Sequence, residues 1–308
     1  MTKSITFSEY GAADVLHIQD VDLPEPGPGQ LRIKVRAAGV NPLDTKIREG
    51  VMKQVFPVRF PSVPGVEGAG VIEAVGDGVE GLVAGDEVFG HLNTGGYAEQ
   101  AVAEAAKVTL KPDTLSWEQA AALPVAAETS YRALELLGLR PGETLLVHAA
   151  AGGVGTIAVQ VAVARGLRVI GTASESNHEH LRALGVTPVT YGDGLVERVR
   201  AVAPDGVDAA LDAAGRGGEI AASVELTGGT DRVVTIADAV GAGKAGVRFT
   251  SGSGAEYRGV PAFEEALALF AAGKLEIPIH RAYPLEEAAA AQDASAGGHL
   301  TGKIVITV

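Results

Sequence analysis

The sequence predicts an α/β protein of two domains: a β-rich unit formed by both ends of the chain, and a doubly wound parallel sheet inserted between them. Three observations predict it. Short strands separated by Gly turns fill the first 120 residues or so, and after Trp117 apolar runs of four or five residues alternate with helical stretches. The closing segment Gly302–Val308 again reads as a strand of the N-terminal kind. At 308 residues, 46% apolar and 20% charged, the chain is long enough for two cores and too apolar for disorder. The expected division is 1–122 with 273–308 for the β-rich domain and 123–272 for the sheet domain.

Taken in order, Pro24, Pro26 and Pro28 with Gly27 and Gly29 make an extended linker that cannot donate a regular ladder. Leu31–Arg36 alternates apolar and charged residues with period two, a half-exposed strand. Val71–Val75 runs into Gly-Asp-Gly, and Asp86–Phe89 into Gly90. Trp117–Leu137 is Ala-rich and helical, with a break at Pro124. The parallel strands are then expected at Leu145–His148, Arg168–Thr172, Pro188–Thr190, Val207–Leu211 and Val233–Ile236, with a last helix at Ala262–Ala272.

Charge narrows the function. Twenty-five Lys and Arg against 38 Asp and Glu give −13, the wrong sign for a nucleic-acid or anionic-membrane partner. With no Cys, thiolate nucleophiles, disulfides and Cys-ligated zinc are excluded. Thr144–Ala164 lacks charged residues, yet Gly152, Gly153 and Gly155 bunch in its middle, so it reads as strand, turn and buried helix rather than a membrane span. The opening residues have no apolar leader pattern. The expectation is a soluble, cytoplasmic protein.

Leu145–Gly155 carries the main site signal. Gly152 and Gly155 occupy the last two glycine positions of a dinucleotide fingerprint, and Ala150 replaces the first. Small residues let the backbone of Ala151, Gly152, Gly153 and Val154 approach a pyrophosphate, which also meets the positive end of the following helix. At the end of the second strand, where NAD-preferring sites carry a carboxylate, stand Ala173 and Ser174. A 2′-phosphate is not repelled there, and Ser174, Asn177 and His178 offer donors, although Glu175 is near. The cofactor expected is therefore NADPH. Tyr191, closing the third strand, either borders the adenosine or packs the strand end.

These residues join a longer set. Gly39-Val-Asn-Pro-Leu-Asp44, Pro64–Val71, Val83–Gly90, Gly95–Glu99, Ala120–Pro124, the glycine loop and Gly302–Val305 occur in order along nearly the whole chain. In them the sequence resembles the zinc-free branch of the medium-chain dehydrogenase/reductases, the quinone oxidoreductases related to zeta-crystallin. The resemblance implies a GroES-like catalytic domain, a Rossmann domain, and a cleft where they meet. Where zinc relatives place metal ligands, this chain has Asn41, Val66 and Val125, so no metal site is expected. The implied activity is zinc-independent transfer of hydride from NADPH to a small electrophilic acceptor, a quinone or an α,β-unsaturated carbonyl compound.

The resemblance also assigns roles. Asn41 is implied between nicotinamide and substrate, and Thr129 beside the nicotinamide or its ribose. Asp44 and Tyr131 are catalytic candidates whose alternatives are a helix cap and helix packing. Ile236 and Ala237 are expected near the nicotinamide half, and Asp208 and Asp212 to shape backbone. His148 reads as a satisfied core histidine, and Lys303 as a solvated or salt-bridged surface residue. Phe56 and Phe60, within Val51–Pro61, form either an apolar substrate wall or a plug in the barrel core. A strand at Gly246–Thr250 offers an edge for a homodimer. The competing functions are an enoyl-thioester reductase and a non-catalytic NADPH-binding redox sensor.

Overall fold

In the computed structural model, which describes residues 1–252 and 254–308, the chain divides into two units. One is Met1–Val125 with Ile277–Val308, the other Ala126–Glu276.

The first unit opens with β1 (Thr2–Thr6) and β2 (His17–Val21), an antiparallel pair. The 11-residue β3 (Gln30–Val40) follows, then α1 (Pro42–Arg48), β4 (Glu67–Val75), β5 (Glu87–His91), β6 (Gln100–Glu104), β7 (Val108–Leu110) and α2 (Trp117–Ala122). The period-two pattern sets which side of β3 is inside. Leu31, Ile33 and Val35 are buried with Ile72, Val88, Ala101 and Val108, while Lys34 and Arg36 face water. Pro42 starts α1 at its first position, where a missing N–H costs nothing.

The second unit is built from α3 (Pro124–Leu137), β8 (Thr144–His148), α4 (Gly153–Ala164), β9 (Arg168–Ala173), α5 (His178–Ala183), β10 (Thr187–Thr190), α6 (Leu195–Val202), β11 (Ala209–Asp212), α7 (Glu219–Thr227), β12 (Val233–Thr235), α8 (Ala239–Ala245), β13 (Arg248–Phe249) and α9 (Gly259–Ala271). Its strands are parallel in the order β10-β9-β8-β11-β12-β13. That order reverses between β8 and β11, which makes a crevice outside their carboxyl ends, the place where such sheets bind ligands. The uncharged 144–164 stretch is β8, the glycine loop and α4. From Gly155 to Ala162 the helix is buried on every face, which is why it carries no charge. Among the described residues no helix is long and apolar enough to cross a membrane.

The chain then returns with β14 (Ile279–Pro284), α10 (Ala288–Gly297) and β15 (Lys303–Thr307). Antiparallel β15 adds to β3, with Ile304 opposite Val40, and the larger sheet runs β14-β15-β3-β4-β5-β7 with β6 also on β3. The terminal strand thus completes the first unit's sheet.

Several boundaries differ from the sequence reading. β11 begins at Ala209 rather than Val207, and β13 spans only Arg248–Phe249 rather than Gly246–Thr250. β3 extends four residues past Arg36 because Ala37–Val40, too small and apolar to show alternation, is buried between β4 and β15. The helix expected at Ala262 starts at Gly259.

Candidate functional site

The glycine loop leaves β8 through Ala149, a non-glycine residue at φ 55°. Its N–H donates to Thr172 Oγ1 (3.3 Å), and the Ala150 N–H to the Thr172 carbonyl (3.0 Å), so β9 fixes the turn. Gly152 is the N-cap of α4, whose first N–H groups have no partner within the helix. A Cβ on Gly155 would lie 2.1 Å from the Ala149 carbonyl oxygen and 2.8 Å from Ala150 Cα. Only glycine lets the helix start this close to the strand. The result is a twelve-residue helix that opens at the switch point behind Ala151–Val154, with the Gly152 N–H donated back to the Ala149 carbonyl (3.0 Å). Ser130 on α3, absent from the sequence reading, donates to the Val154 carbonyl (3.1 Å) and docks this turn.

At the tip of β9, Ser174 Oγ contacts Ser176 Oγ (3.0 Å) and accepts from Asn177 Nδ2 (3.3 Å), while Glu175 is exposed. His178 begins α5, and its buried Nε2 has no hydrogen-bond partner among the described residues. Tyr191 follows β10 and is 38% exposed. Arg198 gathers the carbonyls of Thr190, Tyr191, Gly192 and Asp193 and so holds this loop.

Across the switch point, Asp212 shapes backbone as expected. Its Oδ1 accepts the N–H groups of Ala214 and Gly215, and its Oδ2 accepts the Thr235 hydroxyl (2.8 Å). Thr235 Oγ1 in turn accepts from Ala237 and Asp238 N–H, which fixes the turn carrying Ile236 and Ala237. Asp208 caps Thr144 N–H (2.7 Å). His148 is fully buried, with Nε2 3.0 Å from Ser223 Oγ and Nδ1 3.4 Å from Thr172 Oγ1. Burial pulls its pKa down to about 4, so at neutral pH it is an uncharged packing residue.

On α3 the candidates separate. Thr129 is buried, with its hydroxyl 3.5 Å from Arg132. Arg132 forms a buried fork on Glu128 (2.9 and 3.1 Å) and reaches the Thr250 hydroxyl, and Glu128 also accepts Arg258 N–H (3.0 Å). Tyr131 instead lies under the Arg165 guanidinium, 5.2 Å from ring centroid to Cζ. Arg165 closes the C-terminal end of α4, whose twelve residues span about 18 Å. The ring of Tyr131 thus packs under Arg165, while the neighbouring Ser130 docks the glycine loop.

The first unit holds a buried polar cluster. Glu67 is fully buried on β4. Its Oε1 accepts Asn41 Nδ2 (2.7 Å) and Lys303 Nζ (2.7 Å), and its Oε2 accepts Val125 N–H (2.7 Å). Lys303 Nζ also donates to Asn41 Oδ1 (2.5 Å). A Cβ on Gly39 would sit 2.3 Å from Glu67 Oε1, so β3 must be bare at that point. Asp44 reaches back to the Asn41 N–H (2.8 Å), the acidic half of a capping box, and accepts the Tyr97 hydroxyl (3.2 Å). Burial drives the Asp44 carboxyl up to about 7, partly offset by the Asn41 N–H and the Lys303 charge. Tyr97 is raised well above the usual phenol range by burial and by Asp44 beside it.

The Lys303 expectation is corrected here: only 7% exposed, it lies inside the cluster and not on the surface. Phe60 leans edge-on against Tyr10 (5.0 Å) and Phe7 (5.7 Å) and stays 42% exposed, so it does not plug the barrel core. The sequence reading missed Glu67 as the centre of this cluster, and the Glu128–Arg132 pair. A signal was present for each: opposite charges at the first positions of strands β4 and β15, and an i,i+4 spacing on α3.

The family described as alcohol dehydrogenase GroES-like domain matches residues 27–113, and zinc-binding dehydrogenase matches 184–306. A quinone oxidoreductase structure from Coxiella burnetii is 32% identical, with 100% of this chain and 99% of that one aligned at a TM-score of 0.86. The chain belongs to the medium-chain dehydrogenase/reductase family.

A second structure, of a mycobacterial protein complexed with NADPH, is 30% identical with full coverage of both chains and a TM-score of 0.86. Among curated relatives, a synaptic vesicle membrane protein VAT-1 homolog from Mus musculus is 39% identical over 239 residues, 76% of this chain and 58% of its own length. A 2-methylene-furan-3-one reductase from Solanum lycopersicum is 37% identical over 246 residues, 76% and 62%. The chain spans about three fifths of these curated relatives.

Family membership raises two groups to test against the residues. Zinc does not fit. Val66 and Val125 have no donor atoms, and both Glu67 oxygens are taken by N–H donors, one of them the Lys303 ammonium. A dinucleotide does fit: without a Cβ at Gly155 the first turn of α4 packs directly on the Ala149 and Ala150 backbone, so the helix N-terminus opens at the switch point, and the buried His178 Nε2 has no hydrogen-bond partner among the described residues.

Proposed function

We propose that this chain is an NADPH-dependent oxidoreductase that passes hydride to quinones or α,β-unsaturated carbonyl compounds without a metal ion. The observation that carries the reading is the glycine loop at the switch point, closed by Gly155 and opening a helix N-terminus, with Ala173 and Ser174 where a carboxylate would end β9 and Glu175 exposed. The mycobacterial relative with NADPH and the Coxiella quinone oxidoreductase support it. Bound there, NADPH supplies the hydride.

The backbone of Ala151, Gly152, Gly153 and Val154 takes the pyrophosphate, and Ser174 and His178 take the 2′-phosphate. Tyr191 borders the adenosine, while Thr129, Ile236 and Ala237 serve the nicotinamide half. The acceptor gains a hydride at an electron-poor carbon, its oxygen becomes an enolate or quinolate, and solvent returns the proton. Such acceptors are already polarised, so hydrogen-bond donors suffice where a plain ketone needs a Lewis acid. Asn41 is the proposed donor, and Asp44 holds its backbone.

Asn41→Ala is expected to lower kcat about tenfold to a hundredfold, since one lost transition-state donor has effects of that order or larger. The Kd for NADPH should stay within about threefold, because the phosphate contacts are elsewhere. Stopped-flow turnover alongside fluorescence titration separates the two quantities. An unchanged kcat reduces Asn41 to a turn residue.

A further inference from the structure

We infer that Lys303 is a positioning residue, whose ammonium orients and polarises the Asn41 side-chain amide. Its catalytic consequence rests on the reductase reading above. Four distant chain positions, Asn41, Glu67, Val125 and Lys303, meet at one buried carboxylate. Lys303 can only donate, and both Glu67 oxygens act as acceptors. The amide therefore enters the cluster one way round, with Oδ1 on the ammonium and Nδ2 on the carboxylate. The flipped amide would set N–H against ammonium and oxygen against oxygen.

This leaves the second Nδ2 hydrogen for another acceptor. A short charge-assisted bond to Oδ1 draws electron density from the amide and strengthens that remaining donor. The ammonium is hidden from water, so its influence is weakly screened. Its location is also well determined, because Lys303 begins β15 and the next residue, Ile304, pairs with Val40, the neighbour of Asn41. Stability alone does not call for this arrangement, since apolar residues of similar volume usually serve a buried ion pair's place at least as well. In the proposed reaction the polarised N–H meets the oxygen on which negative charge develops.

Two variants and two readouts test this. Lys303→Met combined with Glu67→Gln removes both charges and avoids stranding a buried carboxylate; Lys303→Arg keeps the positive charge. The chain has three asparagines, Asn41, Asn93 and Asn177, so 15N-asparagine labelling gives three side-chain amide pairs. Because Glu67→Gln alone already changes the acceptor of Nδ2, that single variant is the reference: in the double variant the Asn41 pair should shift further from it, while the Asn93 and Asn177 pairs hold still. With NADPH and 1,4-benzoquinone its kcat should fall about tenfold at an NADPH Kd within about twofold, and Lys303→Arg should recover part of the loss. An Asn41 pair unmoved from that reference, or a double variant with kcat within about twofold of the wild type, overturns the inference. A wild-type protein inactive on every quinone and enone would instead sink the reductase reading, and the amide shifts would still decide whether Lys303 sets Asn41.

Discussion

Gly155→Ala is expected to raise the Kd for NADPH about a hundredfold, close to 2.8 kcal/mol of binding free energy. The added Cβ falls 2.1 Å from the Ala149 carbonyl oxygen and 2.8–2.9 Å from backbone carbons, none of which can swing aside as a side chain would. The loop or α4 has to shift, and the N–H groups that face the pyrophosphate shift with it. Ala149 already sits at a positive φ fixed from β9, so little slack remains upstream. Gly229→Ala serves as the control, since a Cβ there would meet nothing within 4 Å and its φ is ordinary. Fluorescence titration of the two variants checks the claim. A Gly155→Ala protein that binds within about threefold of the wild type would show that the loop tolerates the side chain.

Glu67→Ala should be the most destabilising substitution in the first unit, by about 3–5 kcal/mol. Removing the carboxylate leaves the Lys303 ammonium and the Asn41 and Val125 N–H groups inside the protein without their common acceptor. The melting temperature should fall by about 6–20 °C at that cost in a unit of this size. Glu67→Gln with Lys303→Met keeps the volume and removes both charges, so its loss should be much smaller. Differential scanning calorimetry compares them directly. If Glu67→Ala melts within a degree or two of the wild type, water reaches the cluster and the burial argument fails.

What the sequence made legible follows from how each feature is encoded. Leu31, Ile33 and Val35 announce β3 because a one-sided strand alternates, while Ala37–Val40 is hidden on both faces and shows no pattern. The glycine loop is readable because its constraint is local: Gly155 is needed against Ala149, six residues away. The Glu67 cluster is not local. It depends on β15 joining β3 across more than 260 residues, and no spacing rule connects Lys303 with Asn41. Tyr131 is illegible for the opposite reason. It lies one residue from Ser130, which does touch the loop, but a helix turns about 100° per residue and directs the ring to Arg165.

The most direct test of the proposed function is a titration with NADPH and with NADH, followed by addition of 1,4-benzoquinone or a 2-alkenal while cofactor absorbance is monitored. The account predicts tighter binding of NADPH than of NADH, and oxidation of the bound cofactor once acceptor is present. Absence of binding by either nucleotide would contradict the reading of the glycine loop, and binding with no turnover on any acceptor would contradict the reductase.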